Sequence, residues 1–475
     1  MPPSIATIVY AFGILGLFVL DRDPRARTSR ALWVPLAWLT IIATRPVSLW
    51  LGMAPPLEVP DQYLEGSPLD AAVFAGLLAI GLIVLASRGR QVATLIRANW
   101  PILLFFLYCA ISTLWSDYPI VAFKRWIKSL GDLMMVLIVL TDPHPLAALK
   151  RLLSRLGLAL LPLSVLLIKY YPNLGRTYSA AFGEWHSVYI GVTTNKNSLG
   201  ALVLIFGLGA VWRFLELLQT RDVPHRWRGL IAQGFLLVNA IYLLWQVNSA
   251  TSSGCFVIGS LLLATVRLLR FARKPGVIHL LVAASVSVPL FALFLDPGSG
   301  VFDSLGRDPT LTGRTDIWSL VLNMPVNRLI GAGFESFWLG ERLQEMWSLY
   351  WWKPHEAHNG YIEVLLNLGW VGVSLLALLL ITGYRNIIST LRRTSKTTSL
   401  QLAYLLTAVI YSFTESAFRN LSLTWIFLLM AVAGAAEACL PETQPRVTID
   451  PRPKWATRDA EFGRYPWTGP RREFS

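Results

Sequence analysis

Long apolar runs recur along the whole chain and constrain its fold more than any other feature. Runs of about 17–22 residues match the apolar core of a bilayer, which a helix crosses in roughly 20 residues. Only 15% of the residues are charged, whereas soluble domains carry about 25%. We therefore predict an all-α polytopic membrane protein with about 12–13 transmembrane helices. The runs lie at residues 4–20, 31–53, 71–87, 101–115, 127–141, 157–171, 197–217, 230–248, 255–270, 277–295, 360–382, 402–418 and 421–438.

Basic residues indicate how these helices are oriented. About 28 of the 42 lysines and arginines fall in seven segments that share one side of the membrane under a single alternating topology. Because cytoplasmic loops are enriched in lysine and arginine, that side is predicted to be the cytoplasm. This distribution accounts for the formal net charge of +14 without a nucleic-acid partner. The segments are 21–30, 88–97, 142–155, 218–228, 267–274, 384–396 and the C-terminal tail.

Two stretches differ from the rest of the predicted transmembrane domain, residues 1–440. Residues 296–359 contain no long aliphatic run, lie between two spans on the outer side, and are predicted to form a large helical loop. Helices are expected at 315–323 and 336–350; the second is amphipathic and aromatic-rich, so the loop should fold back over the membrane face. Residues 441–475, rich in proline and arginine, are predicted to be a disordered cytoplasmic tail.

Two residues of the large loop are candidates for chemistry. His358 lies where the chain enters a span, and a neutral imidazole can take a proton from a hydroxyl near neutral pH. The alternative is an interfacial histidine that forms a hydrogen bond or caps the start of the helix. Arg314 can bind phosphate oxygens through two parallel hydrogen bonds. Its alternatives are a salt bridge to Asp316 or Glu335, or contact with lipid headgroups.

Further charged residues occupy unusual positions. Arg176 and Lys196 lie in the second outer segment, 172–197, against the bias that concentrates basic residues in the cytoplasm. Both are candidates for phosphate binding, and contact with lipid phosphate is the alternative. Arg45 and Asp132 lie inside predicted spans, where a charge is costly and suggests either a function or a pairing within the bundle.

Neither a metal site nor a cofactor site is predicted. His355 and His358 are three residues apart, but the sequence HEAH is one residue short of the zinc-protease motif H-E-x-x-H. Cys109, Cys255 and Cys439 lie in or beside apolar runs without paired spacing, which is typical of packing residues. The chain also has no glycine-rich phosphate loop, dinucleotide fingerprint or nucleophile elbow.

Four motifs in order carry a resemblance to a known family. GRTDIW (313–318), LIGAGFESFW (329–338) and HNGYIEVLLNLGWVGVSLL (358–376) together resemble the O-antigen ligase/polymerase superfamily. TTNKNSLGALV (193–203) resembles its exopolysaccharide-production, polymerase-like branch. The resemblance covers roughly residues 176–380. It implies a GT-C-type helical glycosyltransferase of the bacterial inner membrane, which acts at the periplasmic face on a polyprenyl-diphosphate-linked glycan and needs no metal.

The resemblance also implies roles for single residues. His358 matches a histidine proposed to activate the acceptor hydroxyl, and Arg314 matches an arginine proposed to hold the donor diphosphate. Lys196 and Asn197 match the Lys-Asn pair of the polymerase-like branch. The predicted site therefore comprises the catalytic His358, the donor-binding Arg314, Arg176 and Lys196, and the supporting Asn197, Asp316 and Asn359.

The chain departs from the family pattern at two places. Asn195 stands where the branch often has a histidine before the lysine. Residues 248–254 read NSATSSG and lack the arginine that many ligases carry there in an S-R-G motif. If that arginine is needed to bind diphosphate, Arg176 or Lys196 must replace it.

These features lead to one expected function and two rivals. We expect a glycosyltransferase that moves a glycan from a polyprenyl-diphosphate carrier to a glycan or lipid hydroxyl, because cations can stabilise the diphosphate leaving group and a base can activate the hydroxyl. The main alternative is a flippase of lipid-linked sugars, which predicts symmetric halves; no internal repeat is visible. A non-catalytic assembly partner would leave His358 and Arg314 dispensable. The stretch TTNKNSLG favours a polymerase over a ligase but does not separate them.

Overall fold

The computed structural model describes residues 1–22, 27–53, 66–181, 184–220, 226–269, 274–294, 314–350, 352–391 and 395–439. The predicted tail, 441–475, and the first part of the large loop, 296–313, lie outside these residues. Nearly all of the described secondary structure is α-helical, which confirms the all-α membrane class. In chain order the helices are α1 (Pro3–Leu20), α2 (Trp33–Ala43), α3 (Val47–Trp50), α4 (Pro68–Ser87), α5 (Gly89–Ala98), α6 (Trp100–Ser112), α7 (Pro119–Leu140), α8 (Pro145–Tyr170), α9 (Pro172–Gly175), α10 (Lys196–Gln219), α11 (Arg226–Val247), α12 (Ala250–Leu268), α13 (Pro275–Phe294), α14 (Arg314–Asn323), α15 (Gly340–Leu349), α16 (Gly360–Leu391), α17 (Ser395–Tyr411) and α18 (Leu423–Cys439).

Among the described residues, seven helices are long and apolar enough to cross a membrane: α1, α4, α8, α10, α11, α12 and α16. The consecutive helices α5 and α6 form one further candidate, bent by 90°. The part of the chain that the structure describes also has four shorter apolar helices, at Arg30–Ala43, Pro275–Val288, Thr397–Tyr411 and Leu423–Ala435. Each of the thirteen predicted runs overlaps at least one described helix. The number of helices that cross the bilayer stays a prediction.

Local sequence explains where several helices begin. Ser67, Asn195 and Ser249 precede α4, α10 and α12, and the side chain of each accepts a hydrogen bond from a backbone N–H three residues on. Such caps satisfy donors that a helix start leaves without an intrahelical partner. The Asn195 cap therefore fixes the start of α10, where the predicted Lys-Asn pair lies.

The helices differ in how much of their surface the protein covers. The apolar window of α1 is only 11% buried, whereas that of α8 is 72% buried. α18 is enclosed along Leu423–Ala435, and Trp425, Phe427 and Leu428 are almost fully buried. α1 thus offers most of its apolar surface to lipid, and α8, α10, α17 and α18 supply the interior of the bundle.

Two glycines allow the large loop to pack against α16. The backbone of α16 breaks at Gly369, where φ is +64°, and Gly331 of the loop has φ +73°. A Cβ on Gly331 would lie 2.4 Å from the carbonyl carbon of Asn367, and one on Gly369 would lie 2.3 Å from that of Leu329. Backbone hydrogen bonds join 328–333 to 366–371 across this contact. Only glycine permits both the positive φ and the close approach.

The described part of the large loop folds back onto the bundle, as expected from its amphipathic pattern. α14 matches the helix expected at 315–323, and α15 is shorter than the one expected at 336–350. Trp318, Phe337, Leu343 and Met346 form a buried cluster with Leu366 of α16. This cluster brings Arg314 and the segment before α16 against the same end of the bundle.

Three segments differ from the sequence-based prediction. The predicted run 31–53 is not one helix, because α2 ends at Ala43 and α3 begins at Val47, after Pro46. Residues 176–189, for which no strands were predicted, form an antiparallel hairpin of β1 (Arg176–Ala181) and β2 (Glu184–Tyr189). The predicted run 402–418 was too long, because α17 ends at Tyr411 and residues 412–422 form an irregular loop before α18. The apolar residues in FTESAF (413–418) continue the apolar pattern past the end of the helix. The loop carries Glu415 and Arg419 of the site described next.

Candidate functional site

Three separate segments meet at one end of the bundle. They are the start of α10, residues 355–359 before α16, and the loop 412–422 between α17 and α18. A cavity of about 510 Å³ lies between them and the end of α2. Its polar lining consists of Thr194, Asn195, Asn197, Ser198, His355, Glu356, Tyr411, Glu415, Ser416, Arg419, Asn420, Ser422 and Thr424, together with Thr44 of the segment after α2.

Glu415 lies at the centre of this arrangement. Its Oε1 accepts a hydrogen bond from Arg314 Nη2 at 2.9 Å, and its Oε2 accepts one from Asn197 Nδ2 at 3.1 Å. His358 Nδ1 lies 3.4 Å from the same Oε2. Arg314 also donates to the Thr414 carbonyl. One buried carboxylate therefore joins three of the residues that separate sequence motifs singled out.

Glu356 forms a second centre beside the first. Its Oε1 lies 3.1 Å from His358 Nδ1, and its Oε2 lies 3.2 Å from Arg419 Nη1. Arg419 reaches further, and its Nε lies 3.4 Å from Glu335 Oε2. We call the group Arg314, Glu335, Glu356, His358, Glu415 and Arg419 the charged cluster.

The charged cluster shifts the protonation of its own members. Burial opposes ionisation of Glu356, but His358 and Arg419 outweigh it and lower the pKa of the Glu356 carboxyl to about 2. Burial alone would lower the pKa of His358, but Glu356 and Glu415 outweigh it and raise that pKa above its usual value. Burial and nearby Arg419 lower the pKa of His355. The two histidines therefore differ: the protein favours the charged form of His358 and the neutral form of His355.

Asn359 fixes His358 at the start of α16. Its Oδ1 accepts hydrogen bonds from the backbone N–H groups of Tyr361 and Ile362, at 3.0 and 3.1 Å, as a helix cap does. Its Nδ2 donates to the Phe413 carbonyl at 3.1 Å. The capping role considered for His358 thus belongs to Asn359, which also ties α16 to the loop 412–422.

Arg45 and Asp132, the two charged residues inside predicted spans, contact the segments that build the site. Asp132 is fully buried and accepts hydrogen bonds from Trp38 Nε1 and from the backbone N–H of Leu421, both at 2.9 Å. Arg45 donates to the carbonyls of Thr193 and Gly191, at 3.0 and 3.1 Å, and to that of Leu174. They do not pair with each other. Asp132 holds the loop 412–422, and Arg45 holds the turn that leads into α10.

Unusual backbone conformations concentrate around the charged cluster. Five described residues other than glycine have a positive φ, and four of them are Glu335, Lys353, His358 and Leu421. Such residues cost on the order of 1–3 kcal/mol each and tend to collect at functional sites. His358 itself, at φ +50°, is held in this conformation by the contacts on both sides of it.

The remaining predicted residues lie at different distances from the cluster. Lys196 is exposed in the first turn of α10, beside the cavity-lining Asn195 and Asn197. Asp316 is exposed on α14, and Arg314 pairs with Glu415 instead of with Asp316. Arg176 donates to the Ile168 carbonyl at 2.8 Å and lies over the Tyr189 ring, so it supports the β-hairpin. Their functional assignments stay predictions.

Sequence reasoning missed Glu356, Glu415 and Arg419 as site residues. Glu415 lies inside the predicted run 402–418, and Arg419 lies between that run and the predicted run 421–438. The available signal was the polar set in TESAFRN (414–420), because a glutamate and an arginine at the end of an apolar run are costly in lipid.

Three members of the charged cluster could also hold a metal ion. Glu356, His358 and Glu415 offer ligand atoms that lie within 4.8 Å of one another. In this structure Arg314 and Arg419 already bind the two carboxylates. A divalent cation would therefore lie next to two guanidinium groups, which makes the donor set a poor fit for it.

The fold and this site define a multi-pass all-α membrane protein with a charged cluster at one end of its helices. In comparison with known proteins, the chain is similar to the exopolysaccharide production protein ExoQ of Rhizobium meliloti (strain 1021), with 27% identity over 294 residues. The match covers 59% of this chain and 63% of ExoQ, less than two thirds of that relative. No family model matches. The similarity confirms the resemblance to exopolysaccharide-production proteins that the motifs carry.

Proposed function

We propose that this protein acts in exopolysaccharide production as a glycosyltransferase, which polymerises or ligates a glycan at the periplasmic face of the inner membrane. The donor is a polyprenyl-diphosphate-linked glycan, and the acceptor is a hydroxyl of a glycan or lipid. One observation carries the proposal: His358, Arg314 and Asn197, which come from different motifs, meet at Glu415. The ExoQ similarity supports the same process.

His358 is proposed as the general base. Its Nδ1 faces Glu356 and Glu415, so its Nε2 is the ring atom left to accept the proton of the acceptor hydroxyl. The two carboxylates orient the ring and stabilise the imidazolium that forms. A positioned base contributes typically 10²–10⁴-fold to a rate.

The cations beside the cavity are proposed to bind the donor diphosphate. Within the charged cluster, Arg314 and Arg419 face three glutamates while His358 is in the neutral form that acts as a base, so the cluster gains its third positive charge only when His358 accepts the proton. Added positive potential comes from Lys196 and from the start of α10, where backbone N–H groups favour an anion. Arg314 and Arg419 are better placed than Arg176 to replace the arginine missing from 248–254, because Thr251 in that segment contacts Thr414 at 2.7 Å.

The flippase alternative receives less support. A flippase would need charged residues along a mid-membrane path, and Arg45 and Asp132 are two charged residues inside predicted spans. Both are bound to backbone groups of the segments that build the site, so neither is available to line such a path.

The test is an assay of the purified protein with a lipid-linked oligosaccharide, in which product length is scored. Long chains indicate a polymerase, a single transfer onto a lipid indicates a ligase, and movement across a bilayer without new bonds indicates a flippase. His358→Ala should lower the transfer rate at least about 100-fold. His279→Ala, at an exposed histidine that bonds Tyr384 on another part of the bundle, is the matched control and should keep wild-type activity.

His355 provides the decisive comparison. It lines the cavity, and its lowered pKa would also suit a base. If His355→Ala abolished transfer while His358→Ala retained it, the base would be His355 and the assignment of His358 would be wrong. Transfer that persisted in both variants would refute general-base catalysis by this segment. Chelation of divalent cations should leave the rate unchanged.

A further inference from the structure

A second, larger cavity lies at the opposite helix ends from the charged cluster. It has a volume of about 1420 Å³ and is formed by the end of α1, the start of α2 and the start of α8. α2 begins at this cavity with Trp33 and ends beside the first one, and α10 begins at the first one and reaches this cavity with Arg213. By the distribution of basic residues, this end is predicted to be the cytoplasmic one.

The cavity has apolar walls and a basic rim, and we call it the basic groove. Leu15, Phe18 and Val19 of α1 face Leu36 and Ile41 of α2 across it. Its volume exceeds the roughly 300–1,000 Å³ of ordinary small-molecule pockets. Because α1 is the least covered of the long helices, the groove borders the lipid phase. Its charged lining consists of Asp21, Arg22, Arg27, Lys150, Arg151, Arg155 and Arg213.

Basic residues outnumber acidic ones in the described lining of the groove. Lys150 and Arg213 share Glu216, at 2.6 and 2.7 Å. Asp21 Oδ1 accepts a hydrogen bond from Gln233 Nε2 at 2.9 Å. The described lining of the groove holds six basic residues and one carboxylate, Asp21.

The arginines on the rim are placed to share an anion. Arg155 lies over the Trp33 ring, 5.0 Å from its centroid, and Arg151 donates to the Thr28 hydroxyl. The Trp33 ring is neutral, so the Arg155 guanidinium keeps its full charge beside it and can donate to an anion. Arg22 and Arg27 are exposed at the edge of the groove.

We propose that the basic groove binds one anionic phospholipid, with the phosphate on the rim arginines and an acyl chain along the apolar walls. Basic pockets between membrane helices on the cytoplasmic side are suited to anionic headgroups, and apolar walls are suited to a chain. The groove and the charged cluster lie at opposite ends of α2 and α10, so this site is separate from the proposed donor site. It does not depend on the proposed glycosyl transfer.

The test is native mass spectrometry of the full chain, titrated with phosphatidylglycerol or with phosphatidylcholine of the same acyl chains. One lipid of the anionic type should bind more tightly than the zwitterionic one. Each arginine near an anionic headgroup contributes about fivefold in affinity, so Arg22→Ala with Arg155→Ala should weaken phosphatidylglycerol binding about 25-fold. Arg90→Ala with Arg97→Ala, at exposed arginines outside the groove, should change it less than twofold.

Further variants keep the test decisive. Arg22→Ala alone changes an exposed side chain and should weaken binding about fivefold even if the double variant fails to fold. Arg155→Lys should retain most of the affinity because it keeps the charge. Three results would each overturn the proposal. They are equal binding of the two phospholipids, an equal loss of phosphatidylglycerol affinity in the control variant, and displacement of phosphatidylglycerol by inorganic phosphate or a polyprenyl diphosphate at similar concentration.

Discussion

Replacing Glu415 by glutamine tests whether one carboxylate holds the site together. The side chain of Glu415 is 7% exposed and that of Arg314 is 17% exposed, so their 2.9 Å pair is largely shielded from water. Removing one partner of a buried pair costs about 3–5 kcal/mol. The glutamine oxygen still accepts a hydrogen bond, and Arg314 keeps the Thr414 carbonyl, so we expect a loss of about 2 kcal/mol in the free energy of unfolding.

The loss can be measured through the buried thiols of Cys109 and Cys255. Both are free and buried, so they react with a thiol-specific dye only as the protein opens. A denaturant series in detergent, followed by dye labelling, gives the unfolding free energy of each variant. Glu345→Gln, at an exposed glutamate of α15, is the matched control and should change it by less than about 0.5 kcal/mol. If Glu415→Gln were as stable as this control, the central role of Glu415 would be refuted.

Three further predictions follow from neighbouring groups. Glu356 raises the pKa of His358, so Glu356→Gln should lower that pKa and move the acid limb of the pH–rate profile to lower pH. An acid limb at unchanged or higher pH would contradict this. Gly369→Ala should lose about 3 kcal/mol or more of unfolding free energy, because φ is positive and a Cβ would overlap the packed loop, whereas Gly76→Ala, with open space around it, should lose none. Asn359→Ala should cost about 1 kcal/mol through the lost helix cap, Asn359→Ser should restore most of it, and equal stability of both would argue against capping.

Some residues of the site can be selected from the sequence, whereas the residue that joins them cannot. His358, Arg314 and Asn197 could be selected because motif resemblance and outer-loop position both pointed to them. Their shared partner could not, because Glu415 lies 57 residues beyond His358 and 101 beyond Arg314, and no local pattern encodes such a contact. The end of α17 was hidden for a related reason: an apolar run continues past the last helical residue into a loop that the rest of the protein covers. Asp132 accepts a hydrogen bond from the backbone of that loop, and neighbouring helices cover it. The loop backbone can therefore be irregular near the membrane.

By itself the sequence determined the membrane class, the helices, and a polar loop with its candidate residues. Hydrophobicity over about 20 residues and the placement of basic residues are local properties, and the bilayer acts on them directly. The tertiary structure alone decided that three distant segments share one charged cluster and that Arg176 supports a hairpin. It also decided that Arg45 and Asp132, inside the bundle, form hydrogen bonds with the backbone of segments that build the site. A buried charge takes its role from its partners, and only packing brings those partners within hydrogen-bond distance.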